Sequence, residues 1–322
     1  MLSFQTLYSG PALDAIAADW SDLDERAPSA MPFLAYGWLT AYWTVFGESG
    51  SLRVCCVRDS GGRLVAAAPL RLRRRRGLSV LTPLSAELAD FSDVLLDPTV
   101  DGAADALAAG LLSLPDWDVI DLPEVGPGAA AWRLAGVWPG QFVSRPASTC
   151  LELPVCDPEA LLAPLTPKHR QYLRRQARRV NELGIRVVTV PAEPEPLTRA
   201  VAELLDLHAR QWAGRPVNTL HLTAGFRDHL SAAVRHLAPA GRAAVTRYMI
   251  DGTVGAASLF LLTDQTVGGY LYGVAPALKA RLDIGSLMIR SGLDLGRETG
   301  ATTLALLRGQ EQSKLRWQPR AR

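Results

Sequence analysis

Tyr270-Leu-Tyr272-Gly-Val-Ala-Pro-Ala-Leu-Lys279-Ala-Arg281-Leu-Asp283-Ile-Gly285-Ser286-Leu287 joins two different hydrophobic patterns. Residues 267–272 are β-rich. From Ser286 to about Glu298 the apolar residues recur at helical spacing, and Gly300 closes the run. The order is therefore strand, glycine-bearing loop, helix. A helix N-terminus offers unpaired N–H groups and a positive dipole to phosphate oxygens, and glycine lets backbone approach a ligand closely. Residues 280–287 thus read as a candidate pyrophosphate cradle. The pattern alone is a weak signal, since many such loops carry glycine for turn reasons.

Working outward, residues 302–307 form a further predicted strand. Upstream lies a hairpin, 243–250 and 254–262 about an Asp251-Gly252 turn. Helices are predicted over 197–212 and 224–237, separated by a loop holding Gly214 and Pro216. Another begins at Thr166, an N-cap followed by Pro167 at the first helical position, and stops at Gly184. A strand over 185–190 follows it. The first half has the same grammar. Residues 11–47 read as helical and aromatic-rich, and a hairpin follows (52–57 and 64–72 about an Asp59-Ser-Gly-Gly turn). The Arg73-Arg74-Arg75-Arg76-Gly77 run reads as a solvated loop between strands. A short strand (94–96), a helix (103–114) and a strand (117–122) complete this half. The two hairpins echo each other, which reads as a degenerate duplication of one α/β unit. The linker-like stretch 145–158 divides the chain into expected domains 1–150 and 151–322.

Composition narrows the function classes. The 322 residues carry 34 basic and 32 acidic side chains, a net charge of +2 that does not favour a strongly phosphate-seeking surface. Only three basic residues are Lys, namely Lys168, Lys279 and Lys314. This Arg bias weakens the arginine runs as evidence for nucleic-acid binding. No apolar run is long enough for a membrane span, and Met1–Gly10 lacks the features of a secretory signal. Four cysteines make no disulfide scaffold, so the expected setting is a reducing cytoplasm. No histidine or cysteine spacing matches a metal site, and no Walker A, dinucleotide-binding or G-x-S-x-G motif is present. Neither a metal nor nucleotide hydrolysis is expected.

Several blocks in order carry a resemblance. They are Pro32-Phe33…Trp38-Leu39-Thr-Ala-Tyr42-Trp43…Phe46-Gly47, Leu64-Val-Ala-Ala-Ala-Pro69-Leu70 and Asp90-Phe-Ser-Asp93. Then come Lys168-His169-Arg170…Leu173-Arg174-Arg175, Leu207-His208-Ala-Arg-Gln-Trp212 and Arg308-Gly309-Gln-Glu311-Gln-Ser313-Lys314-Leu-Arg-Trp317. Across most of its length the chain resembles GNAT-like acyltransferases of the cellulose-biosynthesis CelD/BcsL type, relatives of the FemAB tandem-GNAT enzymes. The resemblance implies an α/β (α+β) fold of two tandem GNAT-like domains, each a mixed, largely antiparallel sheet flanked by helices. It implies direct acyl transfer from acetyl-CoA or another acyl-CoA to an amine or hydroxyl of a small molecule or saccharide. The donor site is expected in the second domain, without metal. Other classes remain open: aminoacyl-tRNA-dependent amide formation as in FemAB relatives, which would make tRNA a partner, and a non-catalytic scaffold with a degenerate site. The number of copies of the chain in the active assembly is left open.

The candidate residues follow. His208, whose pKa suits proton acceptance, Tyr272, Glu311 and Lys314 are the catalytic candidates. Lys279, Arg281, Gly285, Ser286 and Leu287 are assigned to the donor, and Trp212, Arg308 and Trp317 to the acceptor. The three lysines fall in the basic helix motif, before the cradle and in the terminal motif, where Arg is not an equivalent replacement. The chain departs from the pattern at Leu304-Ala-Leu-Leu307, where relatives often carry an acid. Ser313 replaces an aromatic residue, and Asp283-Ile-Gly285 replaces a Ser-Pro-Gly.

Overall fold

The computed structural model describes residues 1–27, 31–214 and 218–321. Pro216, expected in a loop, lies outside the described residues. The chain divides into two compact units, Met1–Ala147 and Ser148–Arg322.

The first unit runs β1 (Ser3–Leu7), α1 (Gly10–Asp14), α2 (Ala17–Arg26), a 3₁₀ turn (Pro32–Leu34), α3 (Tyr36–Phe46), β2 (Leu52–Arg58) and β3 (Leu64–Arg75). It continues through β4 (Leu78–Pro83), β5 (Leu95–Leu96), α4 (Ala103–Ser113), β6 (Val119–Ile120) and α5 (Ala131–Gly136). The sheet order is β1-β2-β3-β4-β6, with β5 added to β3. All neighbours are antiparallel except β4 and β6. The small residues Ala66, Ala67 and Ala68 of β3 are fully buried, and Ala66 and Ala68 belong to the core beside α4.

One expectation fails here, and one strand has no counterpart in the sequence reading. Arg73, Arg74 and Arg75 are not loop but pair with β4; the hairpin closes at Arg76 and Gly77, whose φ of 51 and 84 suit a tight primed turn. The N-terminus is a strand, an exposed edge whose polar residues hide its periodicity. The helical reading of 11–47 appears, among the described residues, as α1, α2, the 3₁₀ turn and α3.

The second unit runs β7 (Cys150–Pro154), α6 (Pro158–Leu162), α7 (Pro167–Glu182), β8 (Arg186–Thr189), α8 (Pro194–Trp212), a 3₁₀ turn (Thr219–Leu222), α9 (Ala224–Leu237), β9 (Ala243–Ile250) and β10 (Thr253–Leu262). It ends with β11 (Thr266–Val274), α10 (Pro276–Lys279), α11 (Ile284–Thr299), β12 (Thr303–Arg308), α12 (Gln312–Leu315) and β13 (Arg320–Ala321). The stretch 145–158 is therefore more than a linker. Leu151 and Leu153 alternate into the core, and β7 extends the sheet beyond β12. Helix α7 starts and stops as expected: Thr166 Oγ1 accepts from the His169 amide, and Gly184 takes φ 61.

The seven-stranded order is β13-β7-β12-β11-β10-β9-β8. From β8 to β12 it repeats the first unit: strand, helices, three antiparallel strands, helix, and a last strand parallel to the third. Helix α8 lies against one face of this sheet at Gly273. Helix α11 covers the other face at Phe260 and Leu304, against Gly292.

The parallel pair β11–β12 is short. It holds from Thr266–Thr303 to Gly268–Ala305 and then ends. Just beyond, both strands become irregular. In β11 a bulge at Tyr270 breaks the register with β10. In β12 the register with β7 shifts between Ala305 and Leu307, and Leu307 takes φ 57, strained for a leucine. Bulges bend strands and end pairing. The two strands part on the side where α11 begins.

Candidate active site

Helix α11 begins beside this gap. Its N-cap residue Asp283 makes no side-chain hydrogen bond to the first-turn amides. The carboxylate is held elsewhere: Asp283 Oδ2 accepts from Tyr172 Oη at 3.0 Å, Ser286 Oγ at 2.9 Å and Arg316 Nη1 at 2.9 Å. Gln176 Oε1 accepts the Asp283 amide at 3.1 Å. Helices α7 and α12 thus turn the acid away from the helix end and neutralise it, leaving the first-turn N–H groups to face the cleft.

That cleft has a volume of about 550 Å³. Arg175 and Gln176 of α7, Gln211 of α8, Tyr272 of β11, Lys279, Arg281 and Gly285 are among its walls. Arg175 and Arg281 are exposed and make no ion pair among the described residues. With Arg316, four cations stand against one acid, so the cleft lining is net positive.

The terminal motif closes one side. Gly285 packs on Ser313 so tightly that a Cβ at position 285 would stand 2.6 Å from Ser313 Cβ. The glycine at 285 therefore has a steric reason: α12 reaches the α11 N-terminus only where position 285 carries no side chain. Gly285→Ala is expected to push α12 off, loosen Arg316 from Asp283 and cost about 1–3 kcal/mol of stability, read as a lower melting temperature. Adding Ser313→Gly should restore it. An unchanged melting temperature in the single variant would show that α12 gives way without cost.

The other candidates fall as follows. Lys279 and Arg281 are exposed on the cleft. Ser286 and Leu287 are buried, Leu287 in the core with its amide bonded to Asp283 O at 3.2 Å. Lys314 Nζ donates to Arg308 O at 2.7 Å and pairs with Glu311 at 2.9 Å, so both side chains hold the turn at Gly309. Trp317 is buried in the core and anchors the tail.

His208 stands on α8 behind the cleft wall, 4% exposed. Gly273 allows this: a Cβ there would stand 2.4 Å from the His208 amide nitrogen. The close approach brings His208 Nδ1 to 2.8 Å from the Tyr272 carbonyl. A carbonyl only accepts, so Nδ1 carries the proton and Nε2 is a lone pair. Among the described residues Nε2 is buried without a hydrogen-bond partner, as is Trp212 Nε1. Burial lowers the His208 pKa, partly opposed by the Tyr272 carbonyl.

Sequence reasoning gave His221 no role. Its ring lies 5.9 Å from that of His208 and stacks on Phe226 at 4.4 Å. Burial first, then the nearby His208 and Arg308, hold its pKa down to about 4. Only the fold signals this residue, since thirteen positions separate it from His208. Burial raises the Tyr272 pKa, Glu311 and Asp283 add to that, and a hydrogen bond from Gln211 opposes them. The phenol stays protonated.

Comparison with known proteins agrees with this architecture. Residues 167–315 match the acetyltransferase (GNAT) domain model. No curated protein matches the chain by sequence. Among solved structures, FemX superposes with a TM-score of 0.60 at 12% identity, over 99% of this chain and 94% of that one. L-PGS from Bacillus licheniformis gives 0.56 at 14% identity, over 98% and 90%. A conserved protein of unknown function from Bacteroides thetaiotaomicron gives 0.58 at 14%, over 99% and 96%. At such identities the likeness is one of fold, that of two tandem GNAT-like domains. Among the described residues no cluster of three or more metal-ligating side chains occurs, and no helix is long and apolar enough to cross a membrane.

Proposed function

We propose that this chain is an acyl-CoA-dependent acyltransferase, with the donor seated in the second unit. The observation that carries the reading is the cleft at the α11 N-terminus. Helix amides, Arg175, Lys279, Arg281 and Arg316 converge there beside the gap between β11 and β12. The pyrophosphate of the donor would lie against Gly285 and these cations, and the thioester would point into the gap. The first unit offers no counterpart. Its stretch 77–132, which holds β4, α4 and β6, contains no Lys or Arg. Its helix starts beside Asp101 and carries Asp105 in the first turn.

In this reading the acceptor attacks the thioester directly. His208 Nε2 takes its proton, and the protonated Tyr272 hydroxyl supplies one to the departing thiolate. Glu311 and Lys314 shape the turn rather than meet the substrate. The ordered motifs favour the CelD/BcsL type within the fold.

Acetyl-CoA and longer acyl-CoAs should raise the melting temperature. A ligand at a hundredfold excess over Kd adds ~2.7 kcal/mol of stability, or roughly 5–10 °C for a unit of this size. Arg281→Glu should abolish most of that shift. If no acyl-CoA moves the melting curve, the donor assignment is wrong. A second reading, an aminoacyl-tRNA donor, draws on α7. There Lys168, Arg175 and Arg178 are exposed and make no ion pair among the described residues. Salt-sensitive retention of charged tRNA, with no response to acyl-CoA, would select it.

A further inference from the structure

The cleft wall hides a second polar feature. His208, Gln211 and Trp212 share one face of α8 at i, i+3 and i+4. Gln211 lines the cleft and bonds the Val274 amide at 3.0 Å, while His208 and Trp212 sit behind it with rings 6.1 Å apart. Among the described residues His208 Nε2 and Trp212 Nε1 are buried and unpartnered, and a buried polar atom left unsatisfied costs about 1–3 kcal/mol. Two such atoms, neighbours on one helix face directly behind the Gln211 wall of the cleft, mark a place a ligand completes once that wall opens.

Their chemistry is complementary. The Tyr272 carbonyl fixes the Nδ1–H tautomer, so His208 Nε2 can only accept a hydrogen bond. An indole N–H can only donate. The missing group must therefore donate to one and accept from the other. A hydroxyl does both and still keeps a lone pair, since its oxygen has one hydrogen and two lone pairs. An ammonium has no lone pair. A neutral amine has one, which it needs for attack and cannot also give to the indole. The surroundings add to this: His221 and Arg308 stand nearby, neither of which favours a cationic acceptor.

We propose that His208 and Trp212 form the acceptor subsite and that it takes an alcohol, so that the enzyme makes esters. The inference rests on the acyltransferase reading above. The alcohol oxygen forms a bond to the thioester carbonyl carbon while its proton passes to His208 Nε2. The carbon–sulfur bond then breaks, and a proton goes to the thiolate, giving ester and free CoA thiol. No other reactant is required.

The test uses matched acceptors with acetyl-CoA, benzyl alcohol against benzylamine and hexanol against hexylamine, read as thiol release. The alcohols should react faster. Trp212→Phe should lower their rate about 10-fold, the worth of one buried hydrogen bond, while leaving the donor melting shift unchanged. Amines outpacing their alcohol partners, or an unaffected Trp212→Phe, overturns the proposal. If neither acceptor set reacts, ring ¹⁵N spectra decide. A His208 Nδ1–H tautomer whose Nε2 signal moves with benzyl alcohol and not with benzylamine supports it. An Nε2–H tautomer, or an unmoved signal, overturns it. Failure of the donor reading shows separately, as a melting curve that no acyl-CoA shifts.

Discussion

Gly273→Ala is expected to be the most damaging single methyl in the second unit. Its Cβ would stand 2.4 Å from the His208 amide nitrogen, 2.7 Å from the Leu204 carbonyl oxygen and 2.7 Å from Leu207 Cβ. Two of these neighbours are backbone of one helical turn, so no rotamer change relieves them, and α8 must lift from β11. Overpacking a well-packed site costs about 1–3 kcal/mol, and a clash with backbone falls at or above the upper end. At roughly 2–4 °C per kcal/mol, the melting temperature should fall by about 6–12 °C. Gly269→Ala on the same strand is the control. Its nearest neighbour is Phe260 Cε1 at 3.9 Å, an ordinary contact, and it should cost under about 1 kcal/mol. Equal losses at both positions would show that the α8–β11 approach is not what Gly273 serves. The lifted helix would also carry His208 away from the Tyr272 carbonyl, so residual activity should fall further than stability does.

His208→Gln is expected to cost the largest factor in rate. The imidazole is the buried group with a free lone pair behind the cleft, and a positioned general base contributes about 10²–10⁴. Glutamine keeps a polar side chain of similar length but provides no base. The loss should fall on kcat with the best acceptor found, while acetyl-CoA affinity, read by melting, stays as in the parent. A variant that retains a tenth or more of the rate removes His208 from proton transfer. A variant that loses donor binding assigns it to the donor site instead. In the parent the acid limb of the rate profile should fall below that of an ordinary imidazole, because burial lowers the His208 pKa; a limb at or above the ordinary value counts against His208 as the base.

The elements around the site were legible because they carry local signals. Thr166 and Pro167 announce α7, Gly184 and Gly300 end α7 and α11, and Asp251-Gly252 makes the β9–β10 turn. The strand–loop–helix order of 266–299 follows from periodicity alone. Elements with weak local signals were missed. β1 is an exposed edge, and Arg73–Arg75 read as loop because charge masks their pairing with β4. Leu151 and Leu153 sit in a short strand whose partner, β12, lies some 150 residues on, so nothing nearby betrays it.

By itself, then, the sequence determined the repeated α/β architecture and the strand–loop–helix order around residues 280–287. Those properties rest on hydrophobic period, capping and turn chemistry, which act over a few neighbouring residues. Tertiary structure alone decided which candidates meet. It set Asp283 against Arg316 and Tyr172, brought His221 to His208, and consigned Leu287 and Trp317 to the core. It also left the nitrogens of His208 and Trp212 buried and unpaired. Contacts between residues far apart in the chain depend on how closely two elements approach. A glycine such as Gly273 sets that distance, and no local pattern records it.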